Sequence, residues 1–181
     1  MRAGTLIRKF KAKDGREVTL RAPKWDDLED MLEFINSLVD EGADILIDKK
    51  QTREQEVEWL AGHITKIENN KEAVVVAEVD GRFVGQVEVT PQSMCSKHVG
   101  VLGIALKDGC REIGIGTVLM KEAETQARRL GLEILNLEVF ATNERARHVY
   151  EKVGYREVGA WPKAIKRKGV YIDSVLMSKE L

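Results

Sequence analysis

Two periodicities divide this chain. Apolar residues recur at the three-to-four spacing of a helix in four stretches, and between them they alternate or run together as strands do. Leu6 to Phe10 and Glu17 to Arg21 flank the Asp14-Gly15 turn signal and read as a hairpin or a first edge strand, closed by Pro23. From Trp25 to Val39, Leu28, Met31, Leu32, Ile35, Leu38 and Val39 fall on one helical face, with Asp26 and Asp27 suited to the helix start. Asp40 to Lys50, charged around Ile45-Leu46-Ile47, reads as the loop to a second helix ending near Ile67. That helix is opened by a Thr52/Gln55 capping box and carries Val57, Leu60, Ile64 and Ile67.

Ala73 to Val79 and Arg82 to Thr90 are strands joined at Asp80-Gly81, and Pro91 to Lys97 is a loop. Val99 to Leu106 is an uncharged apolar run containing two glycines, which predicts a strand buried on both faces. A helical period starts at Ile113 and continues through Thr117, Met120, Ala123, Ala127 and Leu130 to a stop at Gly131. Ile134 to Phe140 is a strand, Asn143 caps a short helix from Glu144 to Val153, and Tyr155 to Ala160 and Val170 to Met177 close the chain as strands. A strand, helix and strand in succession from residue 99 to 140 fit one parallel crossover, and the whole predicts a single α/β domain over residues 1–181.

Composition narrows the functional classes. In 181 residues, 29 Lys and Arg face 30 Asp and Glu, so the chain lacks the basic excess of a general nucleic-acid binder. No apolar segment reaches membrane-spanning length, and Met1 to Phe10 lacks a secretory core. Cys95 and Cys110 suit free thiols in a reducing cytoplasm. His63, His98 and His148 share no metal-ligand spacing, so no metal is expected.

Candidate chemistry concentrates where the central strand meets the following helix. A helix start offers unpaired backbone N–H groups and the positive end of the macrodipole. Gly114 and Gly116 clear side chains from that turn, and Arg111 adds a guanidinium suited to phosphate oxygens. Residues 111 to 117 are therefore a candidate phosphate seat. They match neither Gly-x-x-x-x-Gly-Lys-Ser/Thr nor Gly-x-Gly-x-x-Gly.

Arg111-Glu112-Ile113-Gly114-Ile115-Gly116 resembles the Arg/Gln-x-x-Gly-x-Gly/Ala signature of the GNAT superfamily of N-acetyltransferases. Asn143, Ala146, Tyr150, Lys152, Gly154 and Tyr155 resemble, in register, a second motif of that family. The resemblance spans about residues 17 to 178 and implies a mixed sheet with splayed central parallel strands and flanking helices. It implies that Arg111, Glu112, Ile113, Gly114, Ile115, Gly116 and Thr117 hold the pyrophosphate of acetyl-coenzyme A (acetyl-CoA), mainly through backbone amides. Leu102, Gly103, Ile104, Ala105 and Leu106 would face the pantetheine arm, with the gap expected between this strand and Gly85 to Val89. Asn143, Arg145 and Arg147 would lie near the far end of the donor.

Tyr150 is the candidate acid for the departing thiolate, and its ordinary pKa near ~10 keeps it a proton donor at neutral pH. Val101 stands where many members of the resembled family carry a glutamate, which leaves Glu88 and His98 as candidate proton acceptors. Backbone N–H groups around Leu102 to Ile104 would polarise the thioester carbonyl. Trp25, Trp59 and Trp161 are expected in core or pocket walls, with Trp161-Pro162 near the acceptor. Lys163, Lys166, Arg167 and Lys168 read as a solvated turn, while Asp40, Glu41, Asp44 and Asp173 could attract an amine.

The expected activity is acetyl transfer from acetyl-CoA to a primary amine. Gly169-x-Tyr171-x-Asp173-x-x-x-Met177 resembles the ending of small-amine and antibiotic-type members and favours a small acceptor over a peptide N-terminus. A non-catalytic acetyl-CoA binder, and a scaffold that forms a homodimer through its terminal strands, are the competing classes.

Overall fold

A computed structural model describes residues 1–181, and the two periodicities resolve into eight strands and four helices. In chain order these are β1 (Leu6–Lys11), β2 (Glu17–Arg21), α1 (Leu28–Glu41), α2 (Arg53–Glu68), β3 (Ala73–Val79), β4 (Arg82–Pro91) and β5 (Val99–Leu106). After them come α3 (Ile115–Arg129), β6 (Ile134–Phe140), α4 (Glu144–Lys152), β7 (Arg156–Arg167) and β8 (Val170–Glu180). All strands join one sheet in the order β1-β2-β3-β4-β5-β6-β8-β7. Only β5 and β6 run parallel, as the crossover through α3 requires. No helix is long and apolar enough to cross a membrane.

The helices divide between the two faces according to their apolar stripes. Leu28, Met31, Phe34 and Leu38 of α1 and Leu60 and Ile64 of α2 pack with Val76 and Phe83 on one face. Ile115, Leu119, Met120, Ala123 and Ala127 of α3 fill the other face with Val75, Val87, Val89 and Leu102, joined by Tyr150 and Val153 from the α4 end. The Thr52 hydroxyl accepts from Gln55 N, and the Gln55 side chain accepts from Thr52 N at 2.8 Å, completing the capping box at α2.

Three expectations change. α3 begins at Ile115 rather than Ile113, because Gly114 takes a left-handed conformation with φ +92°. β7 runs twelve residues, well past Ala160, in a long hairpin with β8. β5 is not buried on both faces: Val101 is 42% exposed, and residues 103–106 are half-buried.

The position of the splay also differs. β4 and β5 pair continuously from Gly85–Leu106 to Pro91–Gly100, so no gap opens between Gly85–Val89 and Leu102–Leu106. The V lies on the opposite side of β5. Its pairing with β6 ends at Val101–Asn136, although both strands continue. Bonds from Lys107 N to Val84 O and from Gln92 N to Val99 O fix the β4–β5 ladder, in which odd-numbered β5 residues bond to β4. Leu102, Ile104 and Leu106 therefore turn their backbone groups toward β6. Past the last pair, Ile104 keeps both its N–H and its C=O on the open side.

A buried arginine anchors α1 to the sheet. Arg21 of β2 donates to Asp27 from Nη1 and Nη2 at 2.7 and 2.6 Å, and to Glu78 of β3 from Nε at 2.9 Å. Asp27 also accepts from Lys24 N at the turn that launches α1. Removing Arg21 would leave a buried carboxylate without its counter-charge, which costs about 3–5 kcal/mol. Arg21→Ala is expected to lower stability by roughly that amount in urea unfolding.

Candidate active site

The turn from β5 into α3 forms an anion cradle. Gly114 precedes the helix at φ +92°, a conformation that a side chain strains, and its carbonyl accepts the first helical bond from Val118 N at 3.2 Å. The N–H groups of Ile115, Gly116 and Thr117 precede that bond and are left for a ligand. The Ile115 side chain is fully buried in the core, so its contribution to the cradle is its amide. Ile113 packs against the same core, and its carbonyl accepts from Lys13 N at 2.9 Å.

That bond carries the β1–β2 turn to the cradle. Lys13 lies beside Gly114, where a Cβ would come 3.6 Å from Lys13 Cγ, and Lys13 lines the same cleft. Nothing in the local sequence marks Lys13, because sheet topology brings it there from about a hundred residues away. Arg111 serves a different purpose from the one its sequence position suggests. Its Nε donates to Leu106 O at 2.9 Å and its Nη2 pairs with Glu41, so the guanidinium ties the end of β5 to the end of α1. Glu112, with φ +65°, lies 3.6 Å from Arg145 across the cleft mouth.

Of the second motif, Asn143 caps α4 by accepting from Ala146 N at 3.1 Å and also lines the cleft. Arg147 faces away, donating to Glu157 of β7 at 2.9 Å, while Arg145 and Tyr150 line the cleft. Tyr150 is 9% exposed, and burial raises its phenol to about 12. The hydroxyl therefore keeps its proton across the neutral and mildly alkaline range.

The cleft has a volume of about 1110 Å³ and joins the cradle and the β5–β6 gap to the sheet face beneath α1 and α2. Phe34, Trp59, Gln86, Glu88 and Glu138 line that face. The Gln86 Oε1 is buried with no protein partner. Glu138 accepts from the Ser174 hydroxyl at 2.9 Å. Glu88 rests on Gly103, where a Cβ would come 2.8 Å from Glu88 Oε1, so a side chain at 103 would displace the carboxylate. Burial raises the Glu88 pKa; His63 and Lys66 oppose that shift and Glu72 reinforces it.

Glu138 and Gln86 were not singled out by sequence. Strand alternation places them on the open face, and that could be read only once the gap had been located. Glu88, Tyr150 and Ile104 come together around the cleft, but His98 does not. His98 precedes β5, six residues before Ile104, or roughly 20 Å along an extended strand. Its carbonyl accepts from Glu133 and Ile134 at the closed end of the sheet.

His63, Glu72 and Glu88 bring potential ligand atoms within 4.8 Å of one another, a cluster hidden from spacing rules because α2, the start of β3 and β4 each supply one residue. The Glu72 carboxylate is already bonded to His63 and ion-paired with Lys66 at 3.2 Å. The acidic residues at the end of α1 and in the loop after it are also engaged: Asp40 pairs with Lys50, Glu41 with Arg111 and Asp44 with Arg167. Asp173 accepts from Lys163 N within the last hairpin. Trp59 lines the cleft as expected, but Trp25 and Trp161 are more than half exposed.

A sheet split between two parallel strands, leading into a helix start stripped of side chains, defines an acyl-CoA-dependent transferase. Residues 32–155 match the profile of the Acetyltransferase (GNAT) family, and the chain belongs to that family. The Bacillus subtilis protein YwnH is 25% identical over 166 residues, covering 91% of this chain and 99% of its own. The L-amino acid N-acetyltransferase AaaT of Escherichia coli is 31% identical over 107 residues, 58% of this chain and 66% of that protein. Among solved structures, a GNAT acetyltransferase from Streptococcus pneumoniae superposes with a TM-score of 0.81 at 25% identity, covering 91% and 99% of the two chains.

Two outcomes test this geometry. Tyr150→Phe is expected to remove a titration centred near pH 12 from the phenolate absorbance curve. Folding raises this phenol above its unfolded value near ~10, so its contribution to stability is complete below that pH and is lost as pH rises toward 12. Gly114→Ala is expected to cost about 1–2 kcal/mol in thermal or urea unfolding, because alanine resists the left-handed conformation.

Proposed function

We propose that this enzyme moves the acetyl group of acetyl-CoA to the primary amine of a small molecule by direct attack on the thioester. The observation that carries this reading is the continuity of one cleft from the open backbone of Ile104, past Tyr150, to the amides of Ile115, Gly116 and Thr117. The pyrophosphate would rest on those amides with Lys13 beside it, and the pantetheine arm would lie along the open side of β5. Arg145 and Asn143 would flank the donor at the mouth.

In this scheme the amine nitrogen attacks the carbonyl carbon from the Glu88 side, and the developing oxyanion receives the Ile104 N–H. The carbon–sulfur bond breaks and Tyr150 protonates the leaving sulfur, while the amine's surplus proton passes to Glu88. Holding both reactants in one cleft supplies much of the rate gain. No step uses a metal ion.

The α1–α2 loop supports a small acceptor. The Glu41–Arg111 pair at the end of α1 and the Asp44–Arg167 pair within the loop hold it along the acceptor side of the cleft. Two relationships point the same way: AaaT is an L-amino acid N-acetyltransferase, and the fold is shared by a phosphinothricin acetyltransferase of Sinorhizobium meliloti. The two unpaired thiols, Cys95 and Cys110, are in keeping with a cytoplasmic setting.

The experiment is calorimetric binding of acetyl-CoA together with turnover on a panel of amino acids, polyamines and peptides. Gly116→Val is expected to weaken acetyl-CoA binding by ~10–100-fold and Lys13→Ala by ~10-fold, through lost charge-assisted contacts. Tyr150→Phe is expected to lower kcat by ~100-fold with donor affinity retained. Undiminished binding by Gly116→Val, or undiminished turnover by Tyr150→Phe, would overturn the corresponding assignment.

A further inference from the structure

We propose that Glu88, Glu72 and His63 act as one proton-holding unit that takes the acceptor's proton from the cleft and releases it to solvent along α2. This rests on the acetyl-transfer reading and adds residues that no part of that scheme required. Their ligand atoms all lie within 4.8 Å of one another, a span that one water molecule bridges. Glu88 lines the cleft, whereas the Glu72 side chain is wholly buried and hydrogen-bonded to His63 Nδ1. The His63 ring stacks on Trp59 at 3.9 Å and its side chain is 14% exposed, which gives the unit a solvent end.

Two carboxylates and an imidazole this close form a coupled group, in which a proton on one member changes the field felt by the others. Lys66 contributes positive charge 3.2 Å from Glu72, and Glu56, a buried carboxylate on α2, also feels His63. His63 bonds one Glu72 oxygen, and the Lys66 ammonium lies 3.2 Å from the other, Oε2, which has no hydrogen-bond partner; a cationic neighbour there suits proton holding better than a metal cation. In sequence, the amine N–H proton passes to the Glu88 carboxylate and onward through water to the Glu72–His63 pair. The imidazolium then gives one proton to solvent and the Tyr150 phenolate regains one from solvent, so charge and protons balance over each turnover.

The first test is NMR titration of His63 in the free protein. Glu88→Gln is expected to lower the His63 midpoint by about half a pH unit or more, because a negative neighbour is lost. The second is the pH profile of kcat/KM. Glu72→Gln is expected to move its acid limb to lower pH, and the half-exposed Lys66→Gln to move it to higher pH, each by roughly half a unit, with KM for acetyl-CoA unchanged. An unmoved His63 curve overturns the coupling. Acid limbs that stay fixed, or move in the same direction in both variants, overturn its role in turnover. A wild-type protein that binds acetyl-CoA but acetylates no amine sinks the transfer reading instead, and the His63 titration still decides the coupling.

Discussion

The hydrogen bonds that β5 and β6 do not make are the constraint on which the rest depends. Parallel strands that begin in register at Val99–Ile134 would ordinarily stay paired, and here they separate after Val101–Asn136. Separation leaves backbone donors and acceptors exposed, a cost that a folded chain bears where a ligand can satisfy them. The surrounding structure holds the strands apart. β4 secures one edge of β5 along its length, β8 secures β6 from Ile134 to Phe140, and the Leu106 carbonyl is bound by Arg111.

This arrangement also explains the division of labour between the sheet faces. The α3 side is a continuous apolar core. The α1–α2 side carries a smaller apolar cluster and, beside it, the polar set Gln86, Glu88, Glu72 and His63. One face gives rigidity to the strands that hold the donor, while the other can accommodate charge and a polar acceptor. Gly103 links the two roles, since the absence of a side chain there lets Glu88 lie across β5.

The sequence revealed elements more readily than neighbours. Helical and strand periods locate all four helices and the six strands from β3 onward, and leave the N-terminal stretch open between a hairpin and one edge strand, because period depends only on which face is apolar. The splay of the central parallel strands is as the family resemblance implies, but sequence alone sets the gap beside β4, because periodicity says nothing about which strand pairs with which. The same limit hid Lys13, Glu138 and the His63–Glu72–Glu88 cluster, whose members meet only after folding. Arg111 fitted the phosphate pattern, yet its guanidinium is engaged by Leu106 and Glu41, partners that local spacing cannot disclose. Gly114, Gly116 and Tyr150 are legible as candidates because a bare helix start and a motif in register are local properties.

The double attachment of Arg111 couples two parts of the cleft. One guanidinium joins the strand that would carry the donor to the helix whose following loop borders the acceptor. A shift of either element is therefore passed to the other through a single side chain, which ties the two halves of the cleft to one another.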